Sequence, residues 1–194
     1  MPYLVGLAGP TCSGKTSICS AIARDKGYEC ISQDSFFVDK ESYPVYNGFI
    51  NMDSPESTNP GLLLDALQAL KRNETAAIPV YDKVASRATG TRTAYPTEVV
   101  LVEGFMLFHD QAVRDIIDFK IYMDIDHHEQ RKRRVKRGVH ADERYFDEVV
   151  IKMFLSYGIR MRDFADVVLD ASRPIEIMSV EAMELMKKRG IIPC

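Results

Sequence analysis

The sequence predicts an α/β domain with a mostly parallel sheet, and three observations support this prediction. Short apolar runs such as Tyr3–Ala8 and Val99–Val102 are typical of strands that are buried on both faces of a sheet. Segments with helical spacing follow such runs, and Lys15–Asp25 is the first of them. Apolar strands that alternate with helices favour parallel strands joined by right-handed crossovers.

The same patterns predict the other elements in order along the chain. The segment 34–60 is rich in Pro, Asn and Gly, which predicts loops with short helical pieces. So long a connection in a compact domain usually serves a function. The other predicted strands are Tyr28–Ser32, Ala77–Tyr81, Phe119–Met123 and Val167–Leu169, and the other predicted helices are Gly61–Lys71, His127–Arg137, Tyr145–Arg162 and Ile175–Lys188.

Length and composition indicate a single globular domain over residues 1–194. This length is enough for one substantial core, and no apolar run approaches the ~18 residues that a membrane span needs. A net charge of −3 argues against non-specific binding to nucleic acid. The four cysteines show neither a CxxC spacing nor a disulfide framework, and the first strand begins close to Met1. We therefore expect a cytoplasmic protein without a signal peptide, membrane anchor or nucleic-acid partner.

A phosphate-binding loop follows the first strand. Residues 9–16 read GPTCSGKT and match the pattern GxxxxGK[ST] at every fixed position. Glycines let the backbone N–H groups point at phosphate oxygens, and the positive end of the following helix assists them. Lys15, expected to be exposed to the ligand, supplies a charge for the β- and γ-phosphates, and the Thr16 hydroxyl can bind Mg²⁺. The predicted ATP-binding residues are Gly9, Thr11, Cys12, Ser13, Gly14, Lys15, Thr16, Ser17 and, from the basic helix described below, Arg137.

Two carboxylates follow strands that end beside this loop. Ligands of open parallel sheets bind at the carboxyl ends of the strands, where Asp34 and Glu103 are expected. Asp34 can accept the proton of an attacking hydroxyl as a general base, and its alternative role is to cap a turn. Glu103 can hold Mg²⁺ directly or through water, and its alternative is a solvated carboxylate at a strand end.

A strongly basic helix precedes a polar break in the pattern. Residues 131–137 read RKRRVKR, which is compatible with a nucleic-acid patch, a solvated helix face, or cations held over a transferring phosphoryl group. We favour the third interpretation because Gly138 provides a hinge for a mobile lid over about residues 138–145. Only one or two of the cations can face the site, and Arg133 is spaced to pair with Glu129 one turn earlier.

Together these motifs resemble the uridine kinase group of P-loop nucleoside kinases, which includes the nicotinamide riboside kinases. The resemblance covers nearly the whole chain. It implies a P-loop NTPase fold, with a five-stranded parallel sheet flanked by helices and a mobile lid. The motifs that carry it are Gly9–Thr16, Ile31–Phe37, Met52–Glu56, Pro79–Asp82, Glu103–Phe105, the basic helix and Tyr145–Asp147.

The resemblance also implies roles for single residues. Asp34 is similar to the base that takes the proton from the 5′-hydroxyl of a ribonucleoside. Asp53 is similar to the carboxylate that binds both ribose hydroxyls, and Arg134 to the lid arginine beside the transferred phosphate. Glu103, with Thr16, matches the site associated with Mg²⁺. The expected catalytic residues are Asp34, Lys15 and Arg134, and the expected substrate-binding residues are Asp34, Phe37, Asp53, Tyr81 and Arg134.

Two branches of the group remain open for the nucleobase. The segments 102–108, 47–49 and 145–147 are similar to nicotinamide riboside kinases, whereas 79–82 and 86–87 are similar to uridine kinases. Lys83–Ser86 occupies the stretch in which pyrimidine-specific members have a histidine. We therefore expect ATP- and Mg²⁺-dependent phosphorylation of the 5′-hydroxyl of uridine, cytidine or nicotinamide riboside. The alternatives are a kinase for another small alcohol of the phosphoribulokinase/uridine kinase superfamily, and a non-catalytic nucleotide-binding regulator.

Overall fold

Five parallel strands form the central sheet, in the order β2-β7-β1-β8-β9. A computed structural model describes residues 1–138 and 143–193 of the chain. The predicted α/β fold class, with five parallel strands flanked by helices, is confirmed. The strands are β1 (Tyr3–Ala8), β2 (Glu29–Ser32), β3 (Val45–Tyr46), β4 (Phe49–Ile50), β5 (Ala76–Asp82), β6 (Arg87–Ala94), β7 (Val99–Gly104), β8 (Phe119–Asp124) and β9 (Val167–Asp170).

Helices cover both faces of this sheet. The α-helices are α1 (Lys15–Lys26), α2 (Pro60–Lys71), α3 (Gln111–Ile116), α4 (His127–Arg137), α5 (Glu143–Tyr145), α6 (Ile151–Met153) and α7 (Ile175–Lys188). Two π-helical stretches, Phe146–Val150 and Phe154–Gly158, and a 3₁₀ stretch, Ile159–Phe164, continue α5 and α6 into one helical run, called here the long helical segment (143–164). Shorter 3₁₀ turns are Gln33–Phe36, Lys40–Ser42 and Pro55–Ser57.

Alternating side chains of the buried strands divide the core into two layers. In β1, Leu4 and Ala8 pack with α2 on one face, whereas Val5 and Leu7 pack with α1 and α7 on the other. All five apolar neighbours in β1 from Leu4 to Ala8 are buried, as a strand with helices on both faces requires. The sheet is therefore rigidly held, and its carboxyl-end edge gives a fixed platform for the loops that follow the strands.

Four elements were not predicted, namely the two-residue strands β3 and β4, the strand β6 and the helix α3, and one predicted strand has a different place. The predicted strand Ala77–Tyr81 is present within β5, but it pairs with the antiparallel β6 outside the central sheet. All residues of β6 except Ala94 are exposed, so the strand has no apolar alternation to reveal it. The helix α3 has only six residues, too few for a clear helical period.

The remaining predictions concern the lid and the membrane. Of the predicted lid at about residues 138–145, the stretch 139–142 lies outside the described residues. Within the part of the chain that is described, no helix combines the length and the apolar character needed to cross a bilayer.

Candidate active site

The strand register brings the predicted site residues of three strands to one edge of the sheet. Leu7 of β1 is the register partner of Glu103 in β7, and Ser32 of β2 is the partner of Glu103 on the other side. The loop after β1 and the turn after β2 therefore flank the same carboxylate. This arrangement follows from parallel pairing, because the carboxyl ends of parallel strands lie together.

The backbone of the loop of residues 9–14 has a close approach that requires glycine, and it contains residues with positive φ angles. A Cβ atom on Gly9 would lie 2.5 Å from the carbonyl oxygen of Met123, and the φ angles of Cys12 and Gly14 are 63° and 96°. Gly14 caps α1 without any side-chain hydrogen bond to the first turn. The free N–H groups of that turn and the curled loop form a concave site for an anion such as phosphate.

Lys15 is less exposed than the sequence suggested. Its relative exposure is 7%, and Nζ donates a hydrogen bond to the carbonyl oxygen of Pro10 at 2.9 Å. The expectation that Lys15 is exposed to the ligand is wrong for this structure, because the side chain folds back over its own loop. Burial lowers the pKa of Lys15, while Glu103 and Asp34 act in the opposite direction.

Glu103 lies buried between the loop and β2. Its Oε1 accepts hydrogen bonds from Thr16 Oγ1 at 3.1 Å and from Ser32 Oγ at 2.5 Å. Burial raises the pKa of Glu103, and the nearby Lys15 opposes that shift. The solvated alternative for Glu103 is wrong, since only 4% of the residue is exposed. A buried carboxylate beside an exposed Thr16 is a set of hard oxygen ligands of the kind that Mg²⁺ prefers, so the residues present fit this ion.

Asp34 lies in the 3₁₀ turn that follows β2, with its carboxylate directed away from the turn. The capping role belongs to Ser32, whose Oγ accepts a hydrogen bond from the Asp34 N–H at 3.3 Å. The Asp34 carboxylate instead pairs with Lys83, Oδ2 lying 2.8 Å from Nζ. The side chain is 38% exposed, so the carboxylate is accessible at the open edge of the sheet.

Asp53 is separated from Asp34 along the chain, but both residues lie at the same end of the molecule. Its Oδ2 accepts a hydrogen bond from the hydroxyl of Tyr145 at 2.8 Å, and its N–H donates to Asn51 Oδ1 at 3.0 Å. Burial and then Asp53 raise the pKa of Tyr145, so this phenol stays protonated and donates. The long helical segment thereby fixes the orientation of the Asp53 carboxylate.

A small pocket joins Asp53 to the start of the phosphate-binding loop. Pro10, Thr11, Asp53 and Gln130 line it on one side. The remaining walls are apolar side chains and the backbone of the long helical segment: Phe105, Met106, Val150, Phe154 and Gly158. One pocket thus contacts both the loop predicted to hold ATP and the carboxylate predicted to bind ribose.

Gln130 lines this pocket and carries a donor without a partner among the described residues. The residue is completely buried, and its Nε2 has no hydrogen-bond partner among the residues described. Its Oε1 lies 3.3 Å from Nδ1 of His127, whose ring packs edge-on against Phe154. A buried N–H without a partner is costly, so an ordered water or a ligand group is the expected partner of Gln130 Nε2.

Three of the six cations of α4, Arg131, Lys132 and Arg133, have carboxylate partners among the described residues. Arg131 forms an ion pair with Asp147, and Arg133 pairs with Glu129 at 3.0 Å, which confirms that predicted pair. Arg133 also donates to the carbonyl oxygen of Ser172 at 3.1 Å. Interpretation of the run as a nucleic-acid patch gains no support from this arrangement, because three of its six cations are engaged with neighbouring carboxylates.

Arg134 differs from its neighbours on α4. Its guanidinium lies over the rings of Tyr145 and Phe146, 5.9 and 5.7 Å from their centroids. Its Nε is buried and has no hydrogen-bond partner among the described residues. Arg137 lies exposed in the last turn of the helix, one turn closer to the predicted lid. Arg134 is therefore the α4 cation with an available buried donor beside Asp53's partner, Tyr145.

The predicted aromatic residues Phe37 and Tyr81 form one group with Tyr43 and Phe105. The Phe37 ring lies 5.5 Å from Tyr81 and 6.4 Å from Phe105, which also lines the pocket. The hydroxyl of Tyr81 is 2.5 Å from that of Tyr43, so both phenols are already hydrogen-bonded within the protein. Phe37 and Tyr81 thus border the site, but Tyr81 contributes its ring rather than a free hydroxyl.

Sequence reasoning missed three contributions to this site. Tyr145 was recognised as part of a motif but not as the partner of Asp53, and Lys83 was considered only as part of a stretch that lacks a histidine. Gln130 was not singled out at all. A glutamine on the buried side of an otherwise charged helix was the available signal, since α4 buries Gln130 alone.

Comparison with known proteins gives a consistent result. The sequence pattern of the Phosphoribulokinase / Uridine kinase family matches residues 4–173. The chain is 31% identical to uridine-cytidine kinase 2-B of Danio rerio, over 87% of this chain and 72% of that protein. It is 30% identical to a uridine kinase of Brevibacillus brevis, over 87% and 84%. A possible uridine kinase from Bacillus stearothermophilus has the same fold, with a TM-score of 0.63, 20% identity, and coverage of 87% of this chain and 89% of that one.

Proposed function

The chain belongs to the phosphoribulokinase and uridine kinase family, and on that premise we propose that it transfers the γ-phosphate of ATP to the 5′-hydroxyl of a ribonucleoside. The observation that carries this proposal is the pocket shared by Asp53 and the phosphate-binding loop. A carboxylate can accept several hydrogen bonds, so acceptance from Tyr145 is compatible with binding the vicinal hydroxyls of a ribose. The names of the uridine kinases among the relatives support the same class of acceptor.

ATP would be bound by the loop of residues 9–16 and the first turn of α1. The backbone N–H groups there and the Lys15 ammonium would hold the β- and γ-phosphates. Thr16 and Glu103 would hold Mg²⁺, which when bound neutralises charge on those phosphates. The hydrogen bond to the carbonyl oxygen of Pro10 uses one of the three N–H donors of Lys15, so the other two could be directed at a phosphate.

The acceptor would be bound on the other side of the same edge. Asp53 would accept hydrogen bonds from the ribose hydroxyls, and Gln130 Nε2 is a donor in the same pocket. Asp34 would take the proton of the 5′-hydroxyl as its oxygen attacks the γ-phosphorus. The bond from the γ-phosphorus to the bridging oxygen of ADP breaks, and the guanidinium of Arg134, whose Nε has no partner among the described residues, would stabilise the charge that is transferred. A lid over about residues 138–145 would exclude water during this step.

The test is ADP release with MgATP and a panel of acceptors. We expect uridine, cytidine and nicotinamide riboside to react with kcat/KM values within about a hundredfold of one another, since apolar contacts discriminate only ~10–200-fold. The 5′-deoxy form of each nucleoside is the matched control and should release ADP only at the background rate. The proposal would be contradicted if the protein phosphorylated sugars or pantothenate but none of the ribonucleosides. A preference above ~10⁴-fold for one base would contradict the permissive site.

A further inference from the structure

Lys83 places a positive charge at the acceptor end of the site. It follows β5 directly, in the turn of the β5–β6 hairpin, and its Nζ lies 2.8 Å from Oδ2 of Asp34. If Asp34 accepts the proton of the acceptor hydroxyl, that hydroxyl lies one hydrogen-bond length from the same carboxylate. The Lys83 ammonium is then about two hydrogen-bond lengths from the reacting oxygen, and the base of a nucleoside lies one sugar ring further.

The hairpin turn does not depend on the ion pair between Lys83 and Asp34. Asp82 Oδ1 accepts hydrogen bonds from the N–H groups of Val84 at 2.8 Å and Ala85 at 3.0 Å, and these bonds fix the turn. The side chain of Lys83 is 63% exposed and that of Asp34 is 38% exposed, so their pairing adds little to stability. The charge of Lys83 can therefore act on a ligand without being needed for the fold.

Given the nucleoside kinase activity proposed above, we propose that Lys83 is a specificity-determining residue that disfavours acceptors with a cationic base. The pyridinium ring of nicotinamide riboside carries a positive charge, whereas the bases of uridine and cytidine are neutral at pH 7. Lys83 balances the charge of Asp34, so the acceptor site has one negative charge fewer to attract a cation. The binding of a nucleoside with a neutral base does not depend on this charge balance.

The expected size of the effect follows from Coulomb's law. Two unit charges about 8 Å apart, at an effective dielectric constant of about 40, change a rate or binding constant about fivefold. The effect should weaken with added salt, because the pair is near the surface and the screening length is about 10 Å at 0.1 M and 3 Å at 1 M. A difference of this size in kcat/KM is compatible with a site that accepts all three nucleosides.

The test is the ratio of kcat/KM for nicotinamide riboside to kcat/KM for uridine. We expect Lys83→Met to raise this ratio about three- to tenfold at low salt, Lys83→Glu to raise it further, and Lys83→Arg to leave it unchanged. Lys26→Met removes an exposed lysine on α1 away from the site and should not alter the ratio. The ratio is an internal measure, so a uniform loss of activity in a variant does not affect it.

Three outcomes would overturn the inference, and they are distinguishable. If the unmodified protein phosphorylates both nucleosides and the ratio stays the same in Lys83→Met and Lys83→Glu, the assignment of Lys83 is wrong while the proposed function holds. If the unmodified protein phosphorylates neither nucleoside, the proposed function fails and this inference fails with it. A ratio that rises equally at low salt and at 1 M salt would point to a steric cause and would also contradict an electrostatic one.

Discussion

The two sides of the site differ in how their polar groups are held. On the phosphate-binding side, Lys15 and Glu103 are buried at 7% and 4% exposure, and Thr16 and Ser32 both donate to the same Glu103 oxygen. On the acceptor side, Asp34 and Lys83 form a half-exposed pair across two separate elements. The first side is preorganised by the sheet itself, whereas the second is assembled from loops, a hairpin and two helices.

This difference indicates where the protein is tolerant of change. Preorganised donors around a phosphate act in a protected environment, so removal of one should cost much of the rate. The acceptor side also contains groups that lack a partner among the described residues, such as Gln130 Nε2 and Arg134 Nε. Apart from the proposed catalytic residues Asp34 and Arg134, changes on that side should alter affinity and selectivity more than the chemical step.

The largest effect is expected for Lys15→Met. Loss of the ammonium should lower kcat/KM by ~10³-fold or more, because a cation that balances charge on the transferred phosphoryl group can contribute that much. Met is an unbranched side chain close to the length of the lysine stem and removes a buried charge, so the melting temperature should fall little or not at all. Steady-state kinetics and a thermal melt measure the two quantities.

Lys26→Met is the matched control for Lys15→Met, since Lys26 lies on the same helix and is exposed. It should retain full activity. Activity of Lys15→Met within tenfold of the unmodified protein would mean that the loop holds phosphate without this residue, and that the phosphate-binding side is not as described.

Asp34→Asn should give the next largest effect. Removal of a general base typically costs ~10²–10⁴-fold in kcat, and the KM for the nucleoside should change little because the amide still hydrogen-bonds the hydroxyl. The split between kcat and KM is measured by varying the nucleoside at saturating ATP. A large rise in KM with unchanged kcat would show that Asp34 binds the acceptor rather than activating it.

The sequence predicted these two sides unequally, and the residues explain why. The motif at 9–16 is continuous, and Glu103 follows an apolar strand, so local pattern and parallel topology were enough to place them. The pairs Asp34–Lys83 and Asp53–Tyr145 join residues 49 and 92 positions apart. Such pairs depend on how a hairpin and the long helical segment pack against other elements. Packing between distant elements leaves no periodic signal in the sequence. Burial of Lys15 was likewise unpredictable, because it depends on a side-chain rotation toward Pro10.

A smaller effect, mainly on KM, is expected for Asp53→Asn. A hydrogen bond to a charged acceptor contributes ~1.5–3 kcal/mol, so the KM for a ribonucleoside should rise about 10–150-fold while kcat changes less. The 2′-deoxynucleoside should show a comparable loss with the unmodified protein and little further loss with the variant. The measurement is steady-state kinetics of the ribonucleoside and the 2′-deoxynucleoside, each with the unmodified protein and with Asp53→Asn.

Tyr145→Phe is the matched variant for Asp53→Asn. It removes the donor to Asp53 and leaves the carboxylate itself, so the rise in KM should be smaller, about 2–10-fold. Equal reaction of ribo- and 2′-deoxyribonucleosides with the unmodified protein would contradict the ribose-binding role of Asp53.

The smallest effect is expected for Gln130→Met. This change should leave stability unchanged or raise it, and it should weaken the affinity for the nucleoside. The amide Nε2 is buried without a partner among the described residues, so an apolar side chain of similar shape should leave the melting temperature unchanged or raise it. The same change removes a donor from the pocket that contains Asp53, and the KM for the nucleoside should rise about 2–10-fold. Gln130→Glu tests the donor separately, because it keeps the shape but presents only acceptors beside Asp53, and it should raise KM more than Gln130→Met does. A fall in both stability and affinity for Gln130→Met, with no further loss in Gln130→Glu, would mean that the amide serves the packing of α4 through His127 and not the acceptor pocket.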